Sequence, residues 1–247
     1  GILRQGIFSK EEIIVSNLTP EGKARSEKNL GVVTTLDNNE VVRSAKTVVL
    51  AVKPQFYEEV LSEVHDSLTK DHTIIGIAPG KTLAWLEEKA GLPLKVVRFM
   101  PNTPAQVGAG MTAVCTNDRV SEDELAKILK ITDSFGCTEV VPERLMDAAG
   151  AVGGCSPAYV YMFIEALADG AVKYGLPRAK AYQMAAQTVL GSAKMVLETG
   201  KHPGQLKDEV CSPGGTTIAG VSALEEWGFR NAVIKAEDAS YEKGRKM

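Results

Sequence analysis

Apolar positions follow two different rhythms along this chain. Up to about Glu143 short apolar runs alternate with longer amphipathic stretches; beyond it the runs vanish and alanine-rich segments with helical spacing take over. Strands are predicted at 12–15, 32–33, 47–52, 73–77, 95–99 and 110–115. The run 47–52 is apolar without alternation, the pattern of a strand covered on both faces of a parallel sheet. Helices are predicted at 20–29, where Thr19 caps and Pro20 takes the first position, briefly from Asn38 or Asn39 to Val42, and at 55–68 and 82–90. Ser121 and Glu124 form a capping box ahead of Leu125, Ile128, Leu129 and Thr132, which share one face. The opening residues, 1–6, read as the tail of a helix. Strands alternating with helices predict a doubly wound, Rossmann-like parallel α/β sheet.

Past Glu143 helices are predicted at 156–174, 178–198, 204–210, 216–227 and from Asn231 onward, punctuated by Gly175-Leu176-Pro177 and by Gly200 to Pro203. The change of rhythm divides the chain into a dinucleotide-binding domain, 1–144, and an all-α domain, 145–247. Residues 158–168 are apolar almost all round. Such a helix has to be surrounded, and the short helical half offers few partners, so a homo-oligomer built through this half is predicted. The stretch 158–176 also carries Glu165, Asp169 and Lys173 and reads as a buried helix rather than a membrane span.

Composition narrows the picture only slightly. A net charge of -3, with 44% hydrophobic and 24% charged residues, is ordinary for a globular protein and gives no basic surface for nucleic acid. Cys115, Cys137, Cys155 and Cys211 are widely spaced without a CxxC pair, which predicts reduced thiols in a cytoplasmic protein. His65, His72 and His202 lack ligand spacing, so each reads as a surface or capping residue and no metal is expected. No secretory leader is visible.

A dinucleotide-binding sheet ordinarily carries a central first strand whose GxGxxG loop holds the pyrophosphate. Neither occurs here, and loss of a central strand would split the sheet and expose two edges. The expectation is that about twenty further residues precede Gly1 in the native protein.

Four stretches have the makings of a site. At the end of the predicted strand 12–15 stand Ser16 and Asn17, where a carboxylate would select NAD; neutral donors accept a 2′-phosphate instead, which favours NADPH, unless the pair merely starts a turn. The loops Ala51-Val52-Lys53-Pro54 and Ile77-Ala78-Pro79 follow strand C-termini, where ligands bind in such sheets; Lys53 is either a phosphate partner or a solvated turn lysine. In Ser212-Pro213-Gly214-Gly215-Thr216-Thr217 two glycines permit close backbone approach. Ile218, Val221, Leu224 and Trp227 then mark a helix whose free N–H groups suit a carboxylate. Read alone, the segment is more readily a capped helix start.

Together with Met100-Pro101-Asn102-Thr103-Pro104, Gly153-Gly154-Cys155-Ser156-Pro157-Ala158-Tyr159, Ala168-Asp169-Gly170 and the run from His202 to Ala219, these stretches resemble the pyrroline-5-carboxylate reductase family. The departures are the missing glycine loop and Cys155, where the family usually has a small residue. The resemblance implies reduction of a small cyclic imine acid to proline by NADPH, with NADH as an alternative. It places Asn38 and the loops 51–54 and 77–79 on adenosine and pyrophosphate, with Met100, Pro101 and Asn102 beside the nicotinamide. The substrate falls to Ser212, Gly214, Gly215, Thr216 and Thr217, with Thr217 as the hydrogen-bond donor to the ring nitrogen. Glu143 matches a position near the substrate and also suits a helix start; Glu209 stands where some relatives have asparagine. The family forms homodimers through the helical domain, and decamers of them. Two rival readings are another two-domain dehydrogenase, such as a β-hydroxyacid dehydrogenase using Lys173 or Lys194, and a non-catalytic relic of the fold.

Overall fold

The computed structural model describes residues 1–246; Met247, the end of the expected helical domain, lies outside them. The chain forms two compact units, Gly1–Cys155 with the chain's end from Ser240, and Ser156–Ala239. In chain order the first unit contains β1 (Ile14–Ser16), α1 (Pro20–Leu30), β2 (Val33–Thr35), α2 (Asn38–Ser44), β3 (Thr47–Leu50), α3 (Tyr57–Val64), β4 (Thr73–Gly76) and α4 (Leu83–Ala90). It continues with β5 (Lys95–Met100), β6 (Gly110–Thr116), α5 (Glu122–Asp133), β7 (Gly136–Val140), α6 (Met146–Gly150) and a π-helical turn, Ala151–Cys155. The opening residues make hydrogen-bonded turns, Gln5 N–H donating to Gly1 O at 3.0 Å.

The strands form two sheets. β1 and β2 pair in parallel, and a second sheet runs in the order β3-β4-β5-β6-β7. β3, β4 and β5 are parallel, as predicted, but β6 is antiparallel to β5 and β7 parallel to β6. The link from Met100 to Gly110 holds only a 3-10 turn, Thr103–Val107, and a parallel crossover needs roughly a dozen residues or more. β7 escapes the hydrophobic pattern because none of its five residues is buried. It approaches β6 so closely that a Cβ on Gly136 would fall 1.9 Å from Gly110 O.

Successive residues of the inner strands feed opposite cores, as strand alternation requires. Ile74 and Val96 pack on one face with Tyr57, Leu61 and Val64 of α3 and Leu86 and Ala90 of α4. Ile75, Val97 and Val114 pack on the other with Ile128 of α5. β3 departs from the two-sided burial expected of it: Val48 and Leu50 are buried, whereas Val49 on the opposite face is 45% exposed. The reason is that α5 covers the sheet only from β4 onward. The capping box of α5 forms in both directions, Ser121 N–H to Glu124 Oε2 at 3.1 Å and Glu124 N–H to Ser121 Oγ at 3.3 Å. His202 caps its helix, accepting from Gly204 N–H at 3.0 Å. His72, expected at the surface or as a cap, is instead buried, linking the loop at Thr69 to Val42 O.

All four cysteines are free. Cys115 is 3% exposed, and burial, only partly offset by the Arg98 charge, pushes its thiol up to about 11. The thiolate is the reactive form, so a thiol reagent at pH 8 is expected to modify exposed Cys137 and to spare Cys115 until denaturant is added. Mass mapping of the labelled peptides checks this.

The second unit consists of α7 (Ser156–Lys173), α8 (Arg178–Thr199), α9 (Pro203–Val210), α10 (Thr216–Glu226) and most of α11 (Phe229–Gly244). α7 and α8 meet through small residues, Ala168, Ala181 and Ala185, and α9 to α11 contain no buried residue. Within the single chain α7 is largely uncovered; the covering predicted for it is a subunit interface. Only Ala168 is buried in it, while Tyr161 is 59% and Met162 68% exposed. The segment Glu143–Lys173 is long and apolar enough to cross a membrane. It is nonetheless broken into a 3-10 turn, α6, the π-helical turn and α7, and it carries Glu165, Asp169 and Lys173.

Candidate active site

The C-terminal ends of β1, β3 and β4 carry the first group of candidate residues, each placed by the strand that precedes it. Thr19 caps α1 by accepting from Gly22 N–H at 3.1 Å, which turns the chain sharply after Ser16 and Asn17. Ser16 Oγ donates to Asn38 Oδ1 at 2.7 Å, and Asn38 Nδ2 donates to Glu63 Oε2 at 2.8 Å. Asn38 thus stands between a hydroxyl and a carboxylate, and Glu63, supplied by α3, is a neighbour that local sequence could not reveal. Asn17 Oδ1 accepts from Ser26 at 3.0 Å. Its Nδ2 is buried and has no partner among the described residues, a donor whose desolvation goes uncompensated.

The loops after β3 and β4 are joined by a residue that the sequence reading missed. Tyr57 opens α3, is wholly buried, and bonds through its hydroxyl to Leu50 O, Ile77 N–H and Ala78 N–H. Ala51, Val52 and Lys53 are exposed, Pro54 starts a 3-10 turn, and Ala78 is buried. Past β5, Asn102 ties two segments together. Its Oδ1 accepts from Met111 N–H at 2.9 Å and its Nδ2 donates to Gly153 O at 3.0 Å in the π-helical turn. Met100 packs against Gly150, and Pro101 is half-buried between them in sequence.

Glu143 is already engaged within its own unit. Its Oε1 accepts from Arg98 Nη1 at 2.8 Å and from Leu83 N–H, the first residue of α4, at 2.7 Å. The Arg98 side chain is 4% exposed and Glu143 33%. A charged residue in the middle of the apolar run 95–99 was the available signal for this pair.

In the helical unit, Gly214 has φ +66, a left-handed conformation that costs other residues about 1–2 kcal/mol. Gly215 N–H donates to Ser212 O at 3.0 Å, closing a turn so tight that a Cβ on Gly215 would lie 2.3 Å from Ser212 Oγ. Gly215 is also the N-cap of α10, and no side chain caps that end. The first-turn N–H groups, at Thr216 and Thr217 among others, are therefore left to solvent or an anion. Thr217 is exposed. Glu209, on α9, accepts from Lys201 at 2.8 Å and Gln205 at 3.1 Å, and the Lys201 ammonium holds its carboxyl below the usual carboxylate range. Lys194 pairs with Glu198 on an exposed surface and Lys173 lies over the Tyr174 ring. Both lysines are exposed. Among the described residues no cluster of three metal-ligating side chains occurs.

A profile described as pyrroline-5-carboxylate reductase dimerisation matches residues 143–247, and one described as NADP oxidoreductase, coenzyme F420-dependent, matches residues 1–80. The pyrroline-5-carboxylate reductase of Escherichia coli (strain K12) is 48% identical over 247 residues, covering 100% of this chain and 92% of that protein. The pyrroline-5-carboxylate reductase of Pisum sativum is 40% identical over 247 residues, covering 100% and 90%. Among solved structures, the Plasmodium falciparum pyrroline carboxylate reductase with NADP bound is 35% identical with a TM-score of 0.89, covering 99% of this chain and 90% of that one. The Coxiella burnetii pyrroline-5-carboxylate reductase gives 35%, 0.91, 99% and 91%.

Proposed function

This chain belongs to the pyrroline-5-carboxylate reductase family, and we propose from that premise that it reduces 1-pyrroline-5-carboxylate to L-proline with NADPH as the hydride donor. The observation that carries the reading is identity of 40–48% sustained over the whole chain in bacterial and plant reductases. A hydroxyacid dehydrogenase or a non-catalytic relic has no comparable support. The test is a fall in NADPH absorbance when purified protein meets pyrroline-5-carboxylate, with no rise when it meets β-hydroxyacids and NADP⁺; no fall with the imine and a rise with a hydroxyacid would overturn the assignment.

The residues fit a nicotinamide dinucleotide. Ser16 ends β1 as a neutral donor, Asn17 Nδ2 is a buried donor in need of an acceptor, and the loops 51–54 and 77–79 lie at strand C-termini, where such ligands bind. When bound, the reduced nicotinamide supplies the hydride. The chain's own part is to bind and orient. The first-turn N–H groups of α10, with Ser212 and the close-approaching Gly214 and Gly215, hold the substrate carboxylate. The Thr217 hydroxyl donates to the ring nitrogen, favouring the polarised imine. Met100, Pro101 and Asn102 line the nicotinamide side. Glu143 serves by fixing Arg98 and the start of α4, and Glu209 by fixing Lys201. No side chain among these needs to titrate near neutral pH, so orientation supplies most of the rate.

Preference for NADPH over NADH rests on Ser16. Ser16→Asp places a carboxylate where a 2′-phosphate would sit, and two like charges about 4 Å apart repel by about 1–4 kcal/mol near a surface. We expect kcat/KM with NADPH to fall about tenfold or more while that with NADH is retained. An unchanged ratio in steady-state assays removes Ser16 from cofactor choice.

The working assembly is a homodimer through the helical half, the unit from which a decamer would be built. The exposed Tyr161 and Met162 of α7 and the matching dimerisation profile over 143–247 support it.

A further inference from the structure

We infer that Tyr57 is a positioning residue for cofactor binding: one buried hydroxyl locks the loops after β3 and β4 into a single preformed surface. The inference rests on the proposal that the loops 51–54 and 77–79 hold the dinucleotide. A tyrosine hydroxyl has one proton and two lone pairs, and all three are used here. It donates to Leu50 O at 2.7 Å and accepts from Ile77 N–H at 2.9 Å and Ala78 N–H at 3.0 Å. Leu50 is the last residue of β3, and Ile77 and Ala78 are the first residues past β4. Leu50 closes the ladder of β3 opposite Gly76, the last residue of β4.

The ring is as fixed as the hydroxyl. Tyr57 is 0% exposed and stacks at a tilt on Trp85 of α4, with ring centroids 6.5 Å apart. Gly76 borders the ring and makes room for Leu86: a Cβ there would come 2.8 Å from Leu86 Cδ1, and 3.7 Å, an ordinary contact, from Tyr57 Cε1. Burial raises the phenol's pKa above its ordinary value, so it stays protonated and keeps its donor role across the working pH range. A hydroxyl held in this way fixes two backbone amides and a carbonyl before any ligand arrives, and rigid preformed loops lose less entropy on binding.

Tyr57→Phe keeps the ring and removes the tie. The expected result is a roughly tenfold rise in NADPH Kd and KM, the three lost hydrogen bonds being made up in part by water once the loops loosen. KM for pyrroline-5-carboxylate and kcat at saturating NADPH should stay near wild type. Val52→Asp, which puts a negative charge directly in the first loop, is measured alongside. If both variants weaken NADPH, the inference stands. If Val52→Asp weakens NADPH and Tyr57→Phe does not, Tyr57 is only a core residue and the inference fails while the cofactor assignment survives. If neither does, the cofactor assignment fails and takes the inference with it. Should Tyr57→Phe not fold, amide hydrogen exchange on the wild-type protein decides. Protection of Ile77 and Ala78 before NADPH is added supports preformed loops, and protection gained only on binding overturns them.

Discussion

Thr217→Ala is expected to lower kcat by about five- to a hundredfold, the effect of losing a hydrogen bond worth roughly 1–3 kcal/mol in the transition state. NADPH Kd should be unchanged. Thr217 stands in the first turn of α10, exposed, behind an N-cap glycine with no side-chain cap. Among the described residues the Thr217 hydroxyl has no hydrogen-bond partner for the substitution to remove, and alanine is the better helix former, so folding should not suffer. What disappears is a donor able to meet a nitrogen on which charge would otherwise build as hydride arrives. An interaction made only in the transition state lowers kcat and kcat/KM together. Thr217→Ser, which keeps the hydroxyl, should recover most of the rate. Steady-state and single-turnover kinetics on the two variants check this, and unaltered kcat in Thr217→Ala removes the hydroxyl from the reaction.

The largest effect on stability is expected from Glu143→Ala, about 3 kcal/mol, read as a lower urea midpoint at fixed protein concentration. The substitution strands an Arg98 guanidinium that is 4% exposed, and it removes the acceptor for Leu83 N–H at the start of α4. Removing one partner of a fully buried pair costs roughly 3–5 kcal/mol; partial exposure of Glu143 places this pair at the lower end. Glu143→Gln should fall between the two, because an amide oxygen can still accept from Leu83 N–H while the charge on Arg98 goes unmatched. A midpoint equal to wild type in both variants would mean that water satisfies Arg98 and that the pair is incidental.

The sequence made the repeating framework legible wherever local chemistry decides it. Thr19, Ser121 with Glu124, and His202 each cap the helix that was predicted for them, because a cap needs only its own four or five residues. The apolar runs at 73–77 and 95–99 are strands with residues in both cores. What could not be read was anything that depends on partners far along the chain. The antiparallel turn of β6 follows from a short link rather than from residue pattern, and β7 has too little burial to leave a pattern at all.

The site divides along the same line. Ser16, Asn17 and Asn38 gather at one strand end, and Glu63, which completes that group, arrives from α3 through a contact spanning 25 residues. Tyr57 carries no mark in the sequence, because its three backbone partners are brought to one oxygen only by the folded sheet. The loop 212–217 was recognisable because glycines and a helix start lie adjacent in sequence. Its capacity to hold an acid group comes from what that segment lacks, a side-chain cap, which a sequence displays only by omission.

The alanine-lined contact between α7 and α8 has a thermodynamic corollary. Each alanine contributes little apolar area, so most of the area that α7 can remove from water is available only against another molecule. Free energy of unfolding for this half then contains a mass-action contribution, growing with the logarithm of chain concentration. A melting temperature for this protein is meaningful only with that concentration beside it, and at high dilution the helical half becomes the first part of the chain to lose its structure.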